Sequence, residues 1–171
     1  MPATPQPPVP SPDVEPDHYF TAEPASAAQR HTLDVRLAGR DVTVHTAAGV
    51  FSAGRIDLGT QVLLRTVPTP PATGTLLDLG CGWGPLALTM ALLAPDAHVW
   101  AVDVNRRAVD LVTRTARGLG LSGITAATPQ AVPSDLRFDV IWSNPPIRIG
   151  KPELHELAAH WLGRLAPSGT A

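Results

Sequence analysis

One cysteine, one tyrosine, one lysine and three phenylalanines are all that the 171 residues supply of these types. With Cys81 alone, no internal disulfide and no paired-cysteine metal site forms, and a reducing compartment such as the cytoplasm is expected. Cys81 itself reads as a small residue filling a tight loop. Long apolar runs are also missing. The longest, Trp83 to Ala94, falls short of the roughly 20 residues that a bilayer-spanning helix requires. The opening residues carry no basic segment followed by an apolar core, so no secretory signal is read. There is no excess of positive charge: the formal net charge is −2, whereas a dedicated nucleic-acid binder usually presents a basic face. Arg36, Arg40 and Arg55, with Arg148 and Lys151, form either a local phosphate-contacting patch or scattered solvated side chains. No Gly-x-Ser-x-Gly elbow and no Walker loop occurs. His155 and His160 are five apart, whereas a zinc helix needs histidines at i and i+4, so no metal site is expected.

What is present is enough for one core, with 44% hydrophobic residues. Residues 1–17 form a proline-rich leader, with seven prolines in the first 16 positions, and are expected to be disordered. Residues 18–73 make an N-terminal segment. Leu33, Val35 and Leu37 alternate with polar residues, as do Val42 and Val44, and Gly39 lies between the two runs, which predicts a small antiparallel hairpin. Asp57 to Val67 reads as a helix capped by Asp57 and broken by Pro68 to Pro71. Residues 74–171 then alternate. Strand Thr75–Asp78, helix Pro85–Leu93, strand His98–Asp103 and helix Arg106–Leu119 come first. Strands Ile124–Ala127 and Phe138–Trp142 and helix Pro152–Leu165 follow. Alternating strands and helices predict an α/β, Rossmann-like, doubly wound parallel sheet.

Three short stretches carry the chemistry. The first is Asp78-Leu79-Gly80-Cys81-Gly82-Trp83-Gly84, between a strand and a helix. Its glycines let the backbone turn tightly and approach a ligand, and the helix that follows points its free N–H groups the same way. A dinucleotide fingerprint would place a third glycine at position 85, which is Pro85. An acid before the loop is equally diagnostic: Asp78 would repel a pyrophosphate and attract the α-amino group of an amino acid. The second is Asp103, at the end of an apolar run and 19 residues beyond Gly84, close to the spacing of a ribose-binding acid. Asp103 otherwise serves only to start the turn before the next helix. The third is Asn144-Pro145-Pro146-Ile147. Two prolines fix φ and remove N–H donors, leaving a stiff segment with free carbonyls that suits gripping an amino group. A plain strand-ending turn uses the same dipeptide.

In this order, Asp78 to Gly84, Asp103 and Asn144 to Ile147 resemble motifs I, II and IV of class I S-adenosylmethionine-dependent methyltransferases. More narrowly, the chain is similar to the methyltransferase small domain family, which includes 16S rRNA guanine-N2 methyltransferases. His18-Tyr19-Phe20, Gly49-Val50-Phe51-Ser52 and Asp57-Leu58-Gly59-Thr60 resemble that family's N-terminal segment. The resemblance implies a cofactor, S-adenosylmethionine, held by Asp78, Gly80, Cys81, Gly82, Gly84 and Asn144, with Asp103 and Val104 at the ribose. Asn144 and the carbonyl of Pro145, stiffened by Pro146, would hold the amine that accepts the methyl. Phe51, Ser52 and Asp57, with Ile147 and Arg148, would meet the substrate, and RNA, ribosomal RNA in particular, is the implied partner.

The chain departs from the family pattern in three places. Ile147 stands where base-stacking enzymes usually carry an aromatic. The polar or acidic residue expected after the third strand, near the cofactor's adenine, has no clean counterpart; Pro129 and Gln130 occupy that stretch, and Gln130 would serve through its amide. The family's sheet has seven strands, and Ala166 to Ala171 reads as the turn before the fifth. Strands five to seven are therefore expected to be missing, Phe138–Ser143 to be an open edge, and the chain to be a fragment of a longer protein. Two other functions stay open: a protein glutamine-amide methyltransferase, which uses a similar Asn-Pro-Pro motif, and a catalytically silent cofactor-binding remnant.

Overall fold

The computed structural model describes residues 29–144 and 150–171. The leader, His18-Tyr19-Phe20, and Pro145, Pro146, Ile147 and Arg148 lie outside the described residues. The first element is an antiparallel hairpin, β1 (Arg30–Leu37) and β2 (Arg40–Ala47). Its two-residue turn, Ala38 and Gly39, has φ of +48° and +75°, the mirrored turn whose twist matches paired strands. Register sets Leu33 opposite Val44 and Val35 opposite Val42, so the alternating apolar residues share one face. Helix α1 (Leu58–Thr66) follows, capped by Asp57, whose side chain accepts from Thr60 N.

The main sheet is parallel. Strands β3 (Thr75–Leu79), β4 (His98–Val102), β5 (Ile124–Ala127), β6 (Phe138–Ser143) and β7 (Leu165–Thr170) lie in the order β5-β4-β3-β6-β7. Side chains alternate between faces. Leu76, Val99, Ala101, Val140 and Trp142 pack toward helix α2 (Pro85–Leu93) and Val112 of helix α3 (Arg106–Gly118). Leu77, Leu79, Val102 and Ile141 pack on the other face with Trp161 of helix α4 (Lys151–Leu162). Helix α2 is apolar nearly all round, a pattern that calls for neighbours on more than one side. The hairpin supplies the covering layer: Leu37, Val44, Trp83, Leu88 and Leu111 form one buried cluster, and His45 N donates to Thr115 Oγ1 of α3 at 2.9 Å.

The C-terminal end corrects the sequence reading. Leu165–Thr170 is a fifth strand beside β6, with Phe138 opposite Leu165 and Val140 opposite Thr170 across an irregular register. Phe138–Ser143 is thus paired on both sides and is not an open edge. Pro167, Ser168 and Gly169 are turn formers and hid this strand, since their local preference is overridden by unpaired β6 backbone next to them. The preceding helix also ends three residues earlier than expected, at Leu162. Arg164 O instead accepts from Phe138 N at 2.9 Å, and the Arg164 guanidinium lies 5.3 Å from the Phe138 ring centroid and 4.8 Å from that of Trp161. Its Nη2 also donates to the carbonyls of Pro133 and Leu136. This anchor joins α4, β6 and β7.

Candidate functional site

The Gly-rich loop leaves the end of β3 and crosses the end of β4. Gly80 N and Cys81 N both donate to Val102 O, at 2.8 and 3.0 Å, so the loop is tied to the strand beside it. Gly80, Gly82 and Gly84 have φ of +76°, +54° and +95°, which other residues adopt only with strain. Pro85 opens α2 at a position where no N–H is needed. The glycines serve different ends. A Cβ on Gly80 meets nothing within 4 Å, whereas one on Gly84 falls 2.8 Å from Val112 Cγ2. Gly80 leaves room over the loop, and Gly84 brings α2 close to α3. Gly84→Ala should therefore cost about 2 to 4 kcal/mol, from overpacking and left-handed strain together, read as a lower midpoint in urea unfolding.

Two carboxylates sit on either side of this loop. Asp78 is 1% exposed; its Oδ2 accepts from Ala87 N in the first turn of α2 at 2.8 Å. Its Oδ1 is buried without a hydrogen-bond partner. Burial pushes the Asp78 carboxyl up to about 7, with the Ala87 N–H opposing and the nearby Asp103 charge adding to the rise. Asp103 Oδ2 accepts from Gly82 N at 2.8 Å and its Oδ1 from Asn105 N at 2.9 Å. Burial raises its pKa as well, against the backbone N–H groups of Asn105, Gly82 and Val104. The Cys81 thiol is pushed well up, mainly by burial and then by the two acids, which fits a space-filling residue and not a nucleophile. What the loop offers is a buried acidic site with an unused acceptor, suited to a cationic group.

A second wall comes from the N-terminal segment. Asn144 follows the last residue of β6 and its Nδ2 donates to Asp57 Oδ1 and Thr60 Oγ1, each at 3.0 Å. Ser52 has φ of +53°; its carbonyl accepts from Trp83 Nε1 at 3.2 Å, and its hydroxyl donates to Arg55 O at 2.8 Å. The Trp83–Ser52 bond straps the Gly49–Arg55 loop onto the glycine loop, and the Ser52–Arg55 bond closes the strap on itself. Asn105 strengthens the join, its Nδ2 donating to Gly49 O at 2.8 Å.

Loop, acid and strap border a small concavity that opens to solvent. Of the residues named from the sequence, Asp78, Gly80, Cys81, Gly82, Asn144, Phe51, Ser52 and Asp57 line it together. Gly84 acts one step back as the cap of α2. Asp103 supports the loop through Gly82. Val104 is 42% exposed, and Gln130 lies exposed on the 3-10 turn after β5 and does not line the concavity. The sequence reading did not assign Thr60, Trp83 and Leu86, which also line the concavity. Thr60 had one available signal, its place in Asp57-Leu58-Gly59-Thr60 at a helix start. His155 and His160 are both exposed on α4, and no cluster able to hold a metal occurs among the described residues. No described helix is long and apolar enough to cross a membrane.

Comparison with known proteins identifies relatives of the chain. The chain is 33% identical over 156 residues to the uncharacterized protein YbxB of Bacillus subtilis, covering 90% of this chain and 78% of that one. It is 35% identical over 128 residues to ribosomal RNA small subunit methyltransferase C of Citrobacter koseri, covering 75% of this chain and 36% of the relative. The T. thermophilus 16S rRNA N2 methyltransferase RsmC, solved in complex with AdoMet and guanosine, superposes with a TM-score of 0.69 at 26% identity. That match covers 85% of this chain and 42% of the other, so the chain spans well under half the length of these two methyltransferases. Residues 41–170 match the methyltransferase small domain, and with a glycine loop, flanking acids and a terminal asparagine set on a parallel sheet, the chain belongs to the methyltransferase small domain family.

Proposed function

We propose that this chain binds S-adenosylmethionine and transfers its methyl group to an exocyclic amine of a nucleobase in ribosomal RNA, of the guanine-N2 type. The observation that carries the reading is the pairing, in one concavity, of the buried, unpartnered Asp78 Oδ1 with the Asn144 amide. The residues fit the cofactor. Asp78 offers a buried carboxylate oxygen to a cationic amino group, and Gly80 leaves the space above the loop open. Asp103 accepts from the backbone N–H groups of Gly82 and Asn105, and a carboxylate has acceptor capacity beyond these for a ribose hydroxyl.

When bound, the cofactor supplies a methyl group on a sulfonium, an electrophile with its leaving group already attached. The protein's part is orientation and exclusion of water, which can contribute up to roughly 7 to 11 kcal/mol. With Nδ2 engaged by Asp57 and Thr60, Asn144 presents Oδ1 as acceptor for one amine N–H. The Pro145 carbonyl is the proposed acceptor for the other. Two such bonds localise a lone pair otherwise delocalised into the base, and no dedicated general base is required. Phe51, Ser52, Asp57, Ile147 and Arg148 are proposed to meet the RNA, and a cytoplasmic location is proposed with it. The T. thermophilus relative, with AdoMet and guanosine bound, supports the same assignment.

The test is methyl transfer from labelled S-adenosylmethionine to small and large ribosomal subunits and their naked RNAs, followed by digestion to nucleosides. Label in N2-methylguanosine is expected. Label in a protein glutamine amide would select the amide methyltransferase instead, and no transfer to either would favour a silent cofactor-binding remnant.

A further inference from the structure

We infer that the first turn of α1 is a socket that sets the orientation of the Asn144 amide, with Thr60 as a positioning residue for methyl transfer. This rests on the methyl-transfer reading above and deepens it. Asn144 comes directly after β6, so its backbone is placed by the sheet but its amide is free to turn about its last torsion. The two ends of an amide are nearly equal in shape and opposite in hydrogen bonding. An asparagine meant to accept from a substrate amine must therefore be held with its oxygen outward.

Three residues in one turn do this. Asp57 Oδ1 and Thr60 Oγ1 each lie 3.0 Å from Asn144 Nδ2 and accept its two protons. A flipped amide would set Oδ1 against the Asp57 carboxylate, two acceptors facing each other. Gly59 completes the fit, because a Cβ there would fall 3.0 Å from Asn144 Oδ1 and 3.2 Å from Nδ2. The socket is itself rigid: Asp57 caps α1 by accepting from Thr60 N at 3.2 Å, and Thr60 is 3% exposed. The helix cap thus has a second task. It carries the orientation of the amine-binding group from a segment 84 residues upstream in sequence, as counted from Thr60 to Asn144.

Thr60→Val keeps the branched shape and removes the acceptor; Thr60→Ser keeps the acceptor. Two readouts separate the socket from the function. The first is hydrogen exchange of the Asn144 side-chain NH2, followed by NMR in the full chain without cofactor. The second is the split of kcat against KM and cofactor Kd. Thr60→Val should speed the exchange about 10-fold and lower kcat about 10-fold, with KM and cofactor Kd within about two-fold, the loss of one hydrogen bond to an orienting group. Thr60→Ser should restore both. Unchanged exchange, or a kcat loss matched by weaker cofactor binding and not restored by serine, overturns the proposal. Should Thr60→Val fail to fold, Gly59→Ala crowds the same amide and must speed the exchange, and its failure to do so is equally decisive. A wild-type chain that transfers methyl to no amine sinks the methyl-transfer reading, while the exchange rates still decide whether the socket exists.

Discussion

Asn144→Ala should lower kcat for methyl transfer by at least about 100-fold while leaving S-adenosylmethionine affinity within a few-fold of the wild type. The size follows from geometry. Misplacing a reacting group by about 1 Å costs on the order of 100-fold, and alanine removes the amide proposed above to accept from the amine. Stability should fall by only about 1 kcal/mol, because Asp57 and Thr60 each lose a donor but line the concavity and can be hydrated there. The measurement is single-turnover methyl transfer beside equilibrium cofactor titration of the same protein. Loss of both in parallel would move Asn144 from the amine to the cofactor. Full retention of transfer would remove it from the site.

The second large effect is on pH dependence and belongs to Asp78. The folded protein holds this carboxyl's proton up to about pH 7, whereas the unfolded chain releases it near 3.8. Between those values the native state binds more protons than the unfolded state, so stability falls as pH rises through that window and levels off above it. The shift corresponds to on the order of 4 kcal/mol. Asp103, raised in the same direction by burial, adds to the slope. Asp78→Asn keeps an acceptor for Ala87 N–H and removes the buried charge. Above pH 7 the ligand-free variant should be more stable than the wild type, and its stability profile between pH 4 and 7 should flatten, with a residual slope from Asp103. The same change should weaken S-adenosylmethionine roughly 10- to 100-fold, the worth of one charge-assisted hydrogen bond. Urea unfolding across pH with and without cofactor checks both. A variant with an unchanged slope would show that Asp78 ionises normally in the native state. One with unchanged cofactor affinity would show that its free oxygen faces nothing in the bound complex.

These two effects pull in opposite directions, and the conflict has a physical sense. Asp78 destabilises the empty protein because its Oδ1 is desolvated and unpaired, and a cation that fills the cleft removes that penalty. A site that is costly when empty ties binding to the native fold, so the rise in unfolding temperature on adding cofactor should itself grow with pH up to about 7.

Much of this was legible in the chain because it depends on local chemistry. Glycines at 80, 82 and 84 admit backbone angles that other residues resist. Asp57 and Asn105 cap helices by their own side chains, and apolar runs of strand length alternate with helical ones. Those features marked the presence of the hairpin, set α1, α2, α3 and four of the five parallel strands to within a residue at each end, and put Asp78, Gly80, Gly82 and Asn144 forward as a group. The fifth strand was not legible. Pro167-Ser168-Gly169 has the composition of a turn, and it becomes a strand only because the Phe138–Ser143 edge beside it offers unpaired backbone, a demand that arises from the assembled sheet. Thr60 was hidden for a related reason: its role depends on a donor 84 positions away, and no local pattern encodes such a pairing. The sequence by itself determined which residues can turn, cap and carry charge, since those are properties of single residues and short spacings. Only the tertiary structure decided which carboxylate oxygen is left unpaired and which way an amide faces, because burial and hydrogen-bond partnership come from segments that meet only when the chain has folded.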